Sequence, residues 1–120
     1  MYARFLIGEL TSEEELKEFG EIYEAEIMPA LRIVPGFLQS ELLIEEGGRM
    51  ILVITLWKTR GDCLTFHSSR THRQMIAKTQ HLLVGEYVVK LFRIREAHAV
   101  SQTQQDAFQP HDMTEKGETQ

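Results

Sequence analysis

Met-Ile-Leu-Val-Ile-Thr-Leu-Trp, at residues 50–57, is the stretch of sequence that decides the fold. Successive side chains of a strand point to opposite faces, and here both alternating sets are apolar. A strand with one wet face does not show this pattern, which is typical of a strand covered on both sides. The β-branched residues and the preceding Gly47-Gly48 turn favour a strand over a short buried helix. We therefore predict that residues 50–57 form the central strand of a sheet.

The elements around this strand follow a simple order. Mostly apolar runs predict three further strands, at residues 3–10, 37–45 and 87–94. A helix is predicted to start at Ser12, whose hydroxyl and following glutamates form a capping pattern, and Pro29 should kink or interrupt it. A short helical segment and a longer one over residues 70–83 follow the central strand. This order predicts an α+β, ferredoxin-like βαββαβ fold with a four-stranded antiparallel sheet.

The helices of such a fold lie on one face of the sheet, which leaves the other face bare. We expect the bare face to carry Leu52, Ile54 and Leu56 from the central strand, with further apolar residues from its neighbours: Leu6, Leu38, Leu42, Phe92 and Ile94. A patch of this size is larger than monomers usually expose. A second copy of the chain would cover it, so we expect a homodimer through the sheet face.

Composition sets the remaining bounds. The chain has 120 residues, enough for one domain, which we place at residues 1–96. Residues 97–120 are mostly polar, with Gln and Thr the most frequent of the polar residues, and are predicted to form a flexible polar tail. The formal net charge of -5 argues against binding to nucleic acid, and no apolar run is long enough to cross a membrane. The single cysteine, Cys63, and the lack of a secretory signal favour a cytoplasmic location.

Several short motifs also carry a family resemblance. Pro35-Gly36-Phe37, the strand that ends in Leu56-Trp57-Lys58, and the later segment with Phe66 and His67-Ser68-Ser69 resemble the antibiotic biosynthesis monooxygenase superfamily. The resemblance covers about residues 3–94 and implies a dimeric α/β barrel. It also implies a ligand cavity between the sheet and the helices. The family includes oxygenases that need neither metal nor flavin, haem-degrading enzymes, isomerases and members without known activity.

The resemblance implies roles for several residues. Trp57 fits the tryptophan that faces the cavity in cofactor-independent oxygenases, although such a residue also serves as plain packing. Val53 takes the place of an asparagine of those enzymes, so the chain lacks the polar group that would hold a phenolic substrate in their quinone-forming mechanism. Phe66 takes the place of a tryptophan of the haem-degrading branch, whose histidine and asparagine positions fall near Ile76 and Gly8. We therefore expect no cofactor, with haem bound through His72 as a minor alternative.

The histidines and basic residues of the later helices are the remaining candidates. His67 and His72 are the best available general bases, because the unperturbed pKa of histidine lies near neutrality, although they could also be surface residues without a role. With His81, their spacing on a straight helix would not let three side chains converge, so we expect no metal. Arg73 belongs to a basic stretch that would favour an anionic or phenolate ligand.

These observations lead to one hypothesis and two alternatives. The first is a cofactor-independent monooxygenase-like protein that acts on a small hydrophobic or aromatic molecule, with His67 and His72 as catalytic residues. Trp57, Val53, Phe66 and Arg73 would then bind the substrate. A non-catalytic dimer that binds or senses haem or another small molecule is the second. The third is a purely structural partner protein.

Overall fold

The computed structural model describes residues 1–96 and 98. Four strands form one antiparallel sheet within that part of the chain: β1 (Tyr2–Glu9), β2 (Phe37–Ile44), β3 (Met50–Trp57) and β4 (Val88–Arg93). The strand order is β2-β3-β1-β4, which places residues 50–57 inside the sheet, as predicted. The helices are α1 (Glu15–Ile22), α2 (Met28–Arg32), α3 (Arg60–His67) and α4 (Arg70–Thr79). The α+β, ferredoxin-like βαββαβ fold is confirmed.

The first helical segment differs from the sequence prediction at its start. It begins at Glu15, not directly after Ser12, and no side chain caps it. The backbone carbonyl of Ser12 accepts from the Glu15 N–H in a preceding turn, so the predicted capping box is wrong. Pro29 does interrupt the α-helical pattern, because a proline has no N–H for the ladder and its ring crowds the carbonyl four residues back. A π-helical turn, Tyr23–Ile27, accommodates it between α1 and α2.

The two faces of the sheet are clearly different. Ile51, Val53 and Trp57 point to the helices and are at most 5% exposed. The register sets Phe5 opposite Ile54, which places both on the bare face. Further bare-face side chains follow from the same pairings: Ile7, Leu43, Leu52, Leu56, Val88 and Phe92. Most of these strand side chains are apolar, as the sequence predicts.

Two residues were predicted on the wrong face. Leu6 and Leu42 both pair with Val53, and all three point to the helices, where Leu6 is buried in the core. The alternation within β1 and β2 shows two sets of side chains, and the set that faces the helices depends on the register with β3. Phe92 lies on the bare face, as predicted, and its ring contacts that of Phe5 edge to face.

The predicted tail, residues 97–120, lies outside the described residues except for His98. The domain boundary at residue 96 therefore stays a prediction. Within the described ranges, no helix has the length and apolar character needed to span a membrane.

Candidate functional site

A buried arginine occupies the centre of the space between the sheet and the helices. Arg4 lies on the helical face of β1, opposite Thr55 of β3, and only 3% of it is exposed. Its Nη2 group donates hydrogen bonds to Nδ1 of His67 at 3.0 Å and to Nε2 of His72 at 2.6 Å. Residues more than sixty positions apart in the chain thus form one polar cluster, which we call the Arg4–His67–His72 cluster.

A break between two helices brings the two histidines together. The Thr59 hydroxyl accepts from the Asp62 N–H at the start of α3, and the Ser69 hydroxyl accepts from the His72 N–H at the start of α4. His67 ends α3 and His72 lies in the first turn of α4, so that their rings are 5.2 Å apart. The assumption of a straight helix was therefore wrong for this pair.

The third histidine lies elsewhere. His81 is exposed and its Nε2 is 3.1 Å from a carboxylate oxygen of Glu18. Within residues 1–96 and position 98, no group of three His, Cys, Asp or Glu side chains could hold a metal ion.

The hydrogen bonds from Arg4 fix the protonation of both imidazoles. An arginine can only donate, so Nδ1 of His67 and Nε2 of His72 must be unprotonated acceptors. Burial, followed by the charges of Arg4, His67 and Arg73, lowers the pKa of His72 to about 4. Burial and the charge of Arg4 also lower the pKa of His67. At neutral pH both rings are therefore neutral, and the lone pair that each could offer as a base is engaged by Arg4.

Arg4 itself has incomplete partners. Burial lowers its pKa, and no carboxylate in the described part of the chain forms an ion pair with it. Its Nε–H is buried and has no hydrogen-bond partner among those residues. The guanidinium carbon lies 5.7 Å from the centre of the Phe66 ring, a distance at which the ring face attracts a cation. Buried charges are usually paired, so this cation is exceptional.

Two cavities meet the cluster. The first lies between the sheet and the helices and has room of about 20 Å³ for water-sized spheres, whereas one buried water needs roughly 10–15 Å³. Its lining includes Arg4, Val53, Phe66, His72 and Met75. The second is a cleft of about 120 Å³ that also reaches Arg4, and its other lining residues are Cys63, Leu64, His67, Val89 and Leu91. We call it the α3–β4 cleft.

Some predicted site residues line these spaces and others do not. Val53, Phe66 and His72 line the inner cavity, and His67 lines the cleft. Trp57 is fully buried, its ring stacks on Phe66 with 4.9 Å between centroids, and its Nε1–H donates to Thr55 at 2.9 Å. Phe66 therefore fills the space beside the tryptophan.

Arg73 points away from the cluster. Its side chain is exposed, and its Nη1 donates to the backbone carbonyl of Ser68 at 3.1 Å. It acts on the cluster only through its charge, as one of the causes of the low pKa of His72.

Sequence reasoning missed Arg4. The available signal was a charged residue inside a short apolar strand, in the same alternating phase as Leu6. Strand burial of an arginine without an acidic neighbour in the strand is unusual, since arginine is almost never fully buried unless it is paired. This phase identifies Arg4 as an interior residue only when the register of β1 with β3 is also known.

Several solved structures share this fold. The structure is similar to that of the monooxygenase from ActVA-Orf6 of Streptomyces coelicolor in complex with nanaomycin D, with a TM-score of 0.72 and 16% identity over 83% of this chain and 92% of the other. SnoaB of Streptomyces nogalater, a cofactor-independent oxygenase, gives 0.66 and 15% over 80% and 94%. A candidate antibiotic biosynthesis monooxygenase of Deinococcus radiodurans gives 0.70 and 19% over 84% and 99%.

The family follows from the sequence match. The profile described as antibiotic biosynthesis monooxygenase matches residues 10–78, which is more than half of the chain. The chain belongs to this family. No curated protein matches it significantly.

Proposed function

We propose that this chain is a monooxygenase that needs neither metal nor organic cofactor and oxidises a small aromatic molecule between the sheet and the helices. The observation that carries the proposal is the Arg4–His67–His72 cluster: two neutral imidazoles contact a buried cation, with His72 at the inner cavity and His67 at the α3–β4 cleft. The family match and the fold shared with a cofactor-independent oxygenase support it. A cytoplasmic location, consistent with a single free thiol, is part of the same proposal.

The chemistry requires one base and one place for negative charge. A base removes a proton from an acidic CH₂ group of the substrate, and the resulting carbanion passes one electron to O₂. The two radicals combine to a peroxide, which takes the proton back from the base. Loss of the second hydrogen with cleavage of the O–O bond gives a carbonyl group and water. One CH₂ group and one O₂ therefore yield one C=O and one H₂O, with no external reductant.

His67 is the better base of the pair. A general base works best when its pKa is close to the working pH, and the value of about 4 makes His72 a weak base in the resting cluster. His67 is exposed and loses less to burial, although the charge of Arg4 still lowers its pKa. Negative charge developing on the substrate would neutralise Arg4, and this would raise the pKa of both rings towards the useful range.

Substrate binding requires the inner cavity to open. About 20 Å³ is far below the roughly 300–1,000 Å³ of sites for drug-sized ligands. Phe66 and Met75 line the cavity on the helical side, and Val53 forms part of its wall on the sheet, so opening would require the Phe66 and Met75 side chains to move. Trp57, Val53 and Phe66 would contact an aromatic ring after this opening, and Arg73 would add positive charge at the rim. A substrate should therefore change the environment of Trp57.

Dimerisation through the bare face belongs to the same proposal. Leu43, Val88 and Phe92 are between 42% and 52% exposed, and all lie on that face. Burying them against a second copy removes apolar surface from water, which is the dominant favourable term in association. A twofold axis through the two sheets would then give a dimeric α/β barrel.

Oxygen uptake with a panel of anthrones tests the reaction, because each of them carries an acidic CH₂ group. We expect uptake by the wild-type protein after treatment with a metal chelator. Uptake should fall about 100-fold or more in His67→Ala, the range given by loss of a general base. His81→Ala is the matched control, because His81 is exposed and lies away from the cluster. Uptake that depends on added metal, or that is equal in the two variants, would contradict the proposal.

Haem binding is the competing function, since His72 is a buried histidine at the cavity. The residues present do not fit haem. The Nε2 atom that would ligate iron accepts a hydrogen bond from Arg4 at 2.6 Å, and the cavity holds about one water. We therefore expect that added haem causes no Soret shift that depends on His72. The spectra of haem with the wild type and with His72→Ala should be the same.

A further inference from the structure

Arg4 is a buried cation whose neighbours do not neutralise its charge. It is 3% exposed, and the groups that contact its guanidinium are two neutral imidazoles and an aromatic ring. These groups partly replace hydration, but none carries a negative charge. Taking a charge out of water is costly unless it is paired and fully hydrogen-bonded. A fold that keeps such a cation is ready to receive an anion.

The α3–β4 cleft leads to this cation. Its volume is about 120 Å³, which is several times that of the inner cavity. Leu64, Val89 and Leu91 make most of its wall apolar, while Arg4 and His67 supply its polar end. An apolar wall with one cationic end matches a small flat molecule that carries one ionised oxygen.

Of the two histidines, His67 is the one that an incoming anion can displace from Arg4. It is exposed, whereas His72 is buried, and it holds Arg4 with the longer hydrogen bond, 3.0 Å against 2.6 Å. An anionic oxygen accepts a stronger hydrogen bond from a guanidinium than a neutral ring nitrogen does. Replacement of His67 by the anion would neutralise the charge of Arg4 and free the Nδ1 lone pair of His67 beside the ligand.

We propose that Arg4 binds the ionised oxygen of a small aromatic anion, a carboxylate or a phenolate, that enters through the α3–β4 cleft and displaces His67. This inference rests on the proposed function only in that the bound anion would be the substrate. Binding and oxidation are separate measurements, so the two can fail independently.

Calorimetric titration with benzoate and with 4-nitrophenolate tests the site, with benzyl alcohol as the neutral control. Both anions should bind, and benzyl alcohol should not. Arg4→Met should weaken anion binding by about 10- to 100-fold, the range for loss of a hydrogen bond to a charged group. Binding of only one of the two anions would identify the class of oxygen that the site accepts. Equal binding of benzyl alcohol, or unchanged binding by Arg4→Met, would overturn the inference.

A spectroscopic readout separates a binding role from a structural one. 4-Nitrophenol changes its absorbance when it ionises, so the cation should lower its apparent pKa in the presence of the wild-type protein. Leu91→Trp fills the cleft from an exposed strand residue and leaves Arg4 in place. We expect this variant to lose both the absorbance shift and benzoate binding, even if Arg4→Met does not fold. A full shift in Leu91→Trp would contradict entry through the cleft.

Exposed arginine supplies the matched control. Arg70→Met removes a cation of the same kind from α4, outside the cleft. It should leave benzoate binding within about twofold, because screening weakens the effect of an exposed charge. Anion binding without any oxygen uptake would leave this inference standing and refute the proposed reaction. Oxygen uptake that is unaffected by Arg4→Met would refute this inference and leave the proposed reaction standing.

Discussion

The two faces of the sheet carry different kinds of side chain, although consecutive residues of the same strand supply them. Arg4 and Phe5 follow each other in β1, yet Arg4 points to the helices and Phe5 to the bare face. The helical face buries Thr55, His72 and a cation within its apolar core. The bare face is mostly apolar along β1 and β3, although nothing in the described chain covers it.

This difference separates stability from function. Polar groups on the helical face are buried at a cost, so they call for a role in binding or chemistry. Apolar groups on the bare face remain in contact with water in a single chain, so they call for a partner. Each face should therefore respond to mutation in its own way, and the contrast can be measured.

The largest effect should come from a charge on the bare face. Ile54 lies opposite Phe5 on an inner strand, and Ile54→Lys would place one charge on each of the two sheet faces that meet in the proposed dimer. An unpaired buried charge costs about 3–5 kcal/mol, so dimer affinity should fall by about a thousandfold or more. Sedimentation velocity over a range of protein concentrations measures this change.

Ile33→Lys is the matched control for the charge. Ile33 is 84% exposed and lies outside the sheet, so the same substitution there should leave association unchanged. A wild-type chain that sediments as a folded monomer at micromolar concentration would show that the bare face has no second copy on it.

The next largest effect should come from the core of the helical face. Trp57 is fully buried against Phe66 and Phe37, and Trp57→Ala should lower the free energy of unfolding by about 3–5 kcal/mol. Urea unfolding at a fixed protein concentration measures the loss. Phe92→Ala on the bare face is the comparison. Its effect on the free energy of unfolding should grow as the protein concentration rises through the range in which the dimer forms. Equal, concentration-independent losses would remove the distinction between the faces.

The fold could be predicted because its signals are local. The two apolar phases of residues 50–57 and the glycine turn before them each lie within a few residues. The start of α1 was predicted wrongly because a capping pattern offers a hydrogen bond that the folded chain need not form. The faces of Leu6 and Leu42 were predicted wrongly because alternation within a strand does not fix its register with the neighbouring strand.

The candidate site was predictable only in part. His67 and His72 could be selected by residue type, but their meeting depends on the break at Ser68-Ser69 and not on helical spacing. Arg4 reaches them across more than sixty residues, through the register of β1 with β3. The small cavity depends on the side-chain packing of Phe66 on Trp57, which residue identity does not determine.

The smallest of these effects, and the most specific to the helical face, is a pH dependence of stability. His72 has a pKa of about 4 in the folded chain, against 6.5 without the fold. The unfolded chain therefore binds more protons between these values, so stability is fully present above pH 6.5 and decreases as the pH falls towards 4. The loss should reach up to about 3 kcal/mol.

Urea unfolding of the wild type and His72→Gln across that pH range isolates this contribution, because the carboxylates that also titrate are common to both. Gln has no imidazole to protonate, so the variant should show a shallower decrease, while His81→Gln, at an exposed site, should follow the wild type. Parallel curves for the wild type and His72→Gln would mean that Arg4 and burial do not hold His72 neutral. The buried cation would then lack the neutral acceptor on which the difference between the two faces depends.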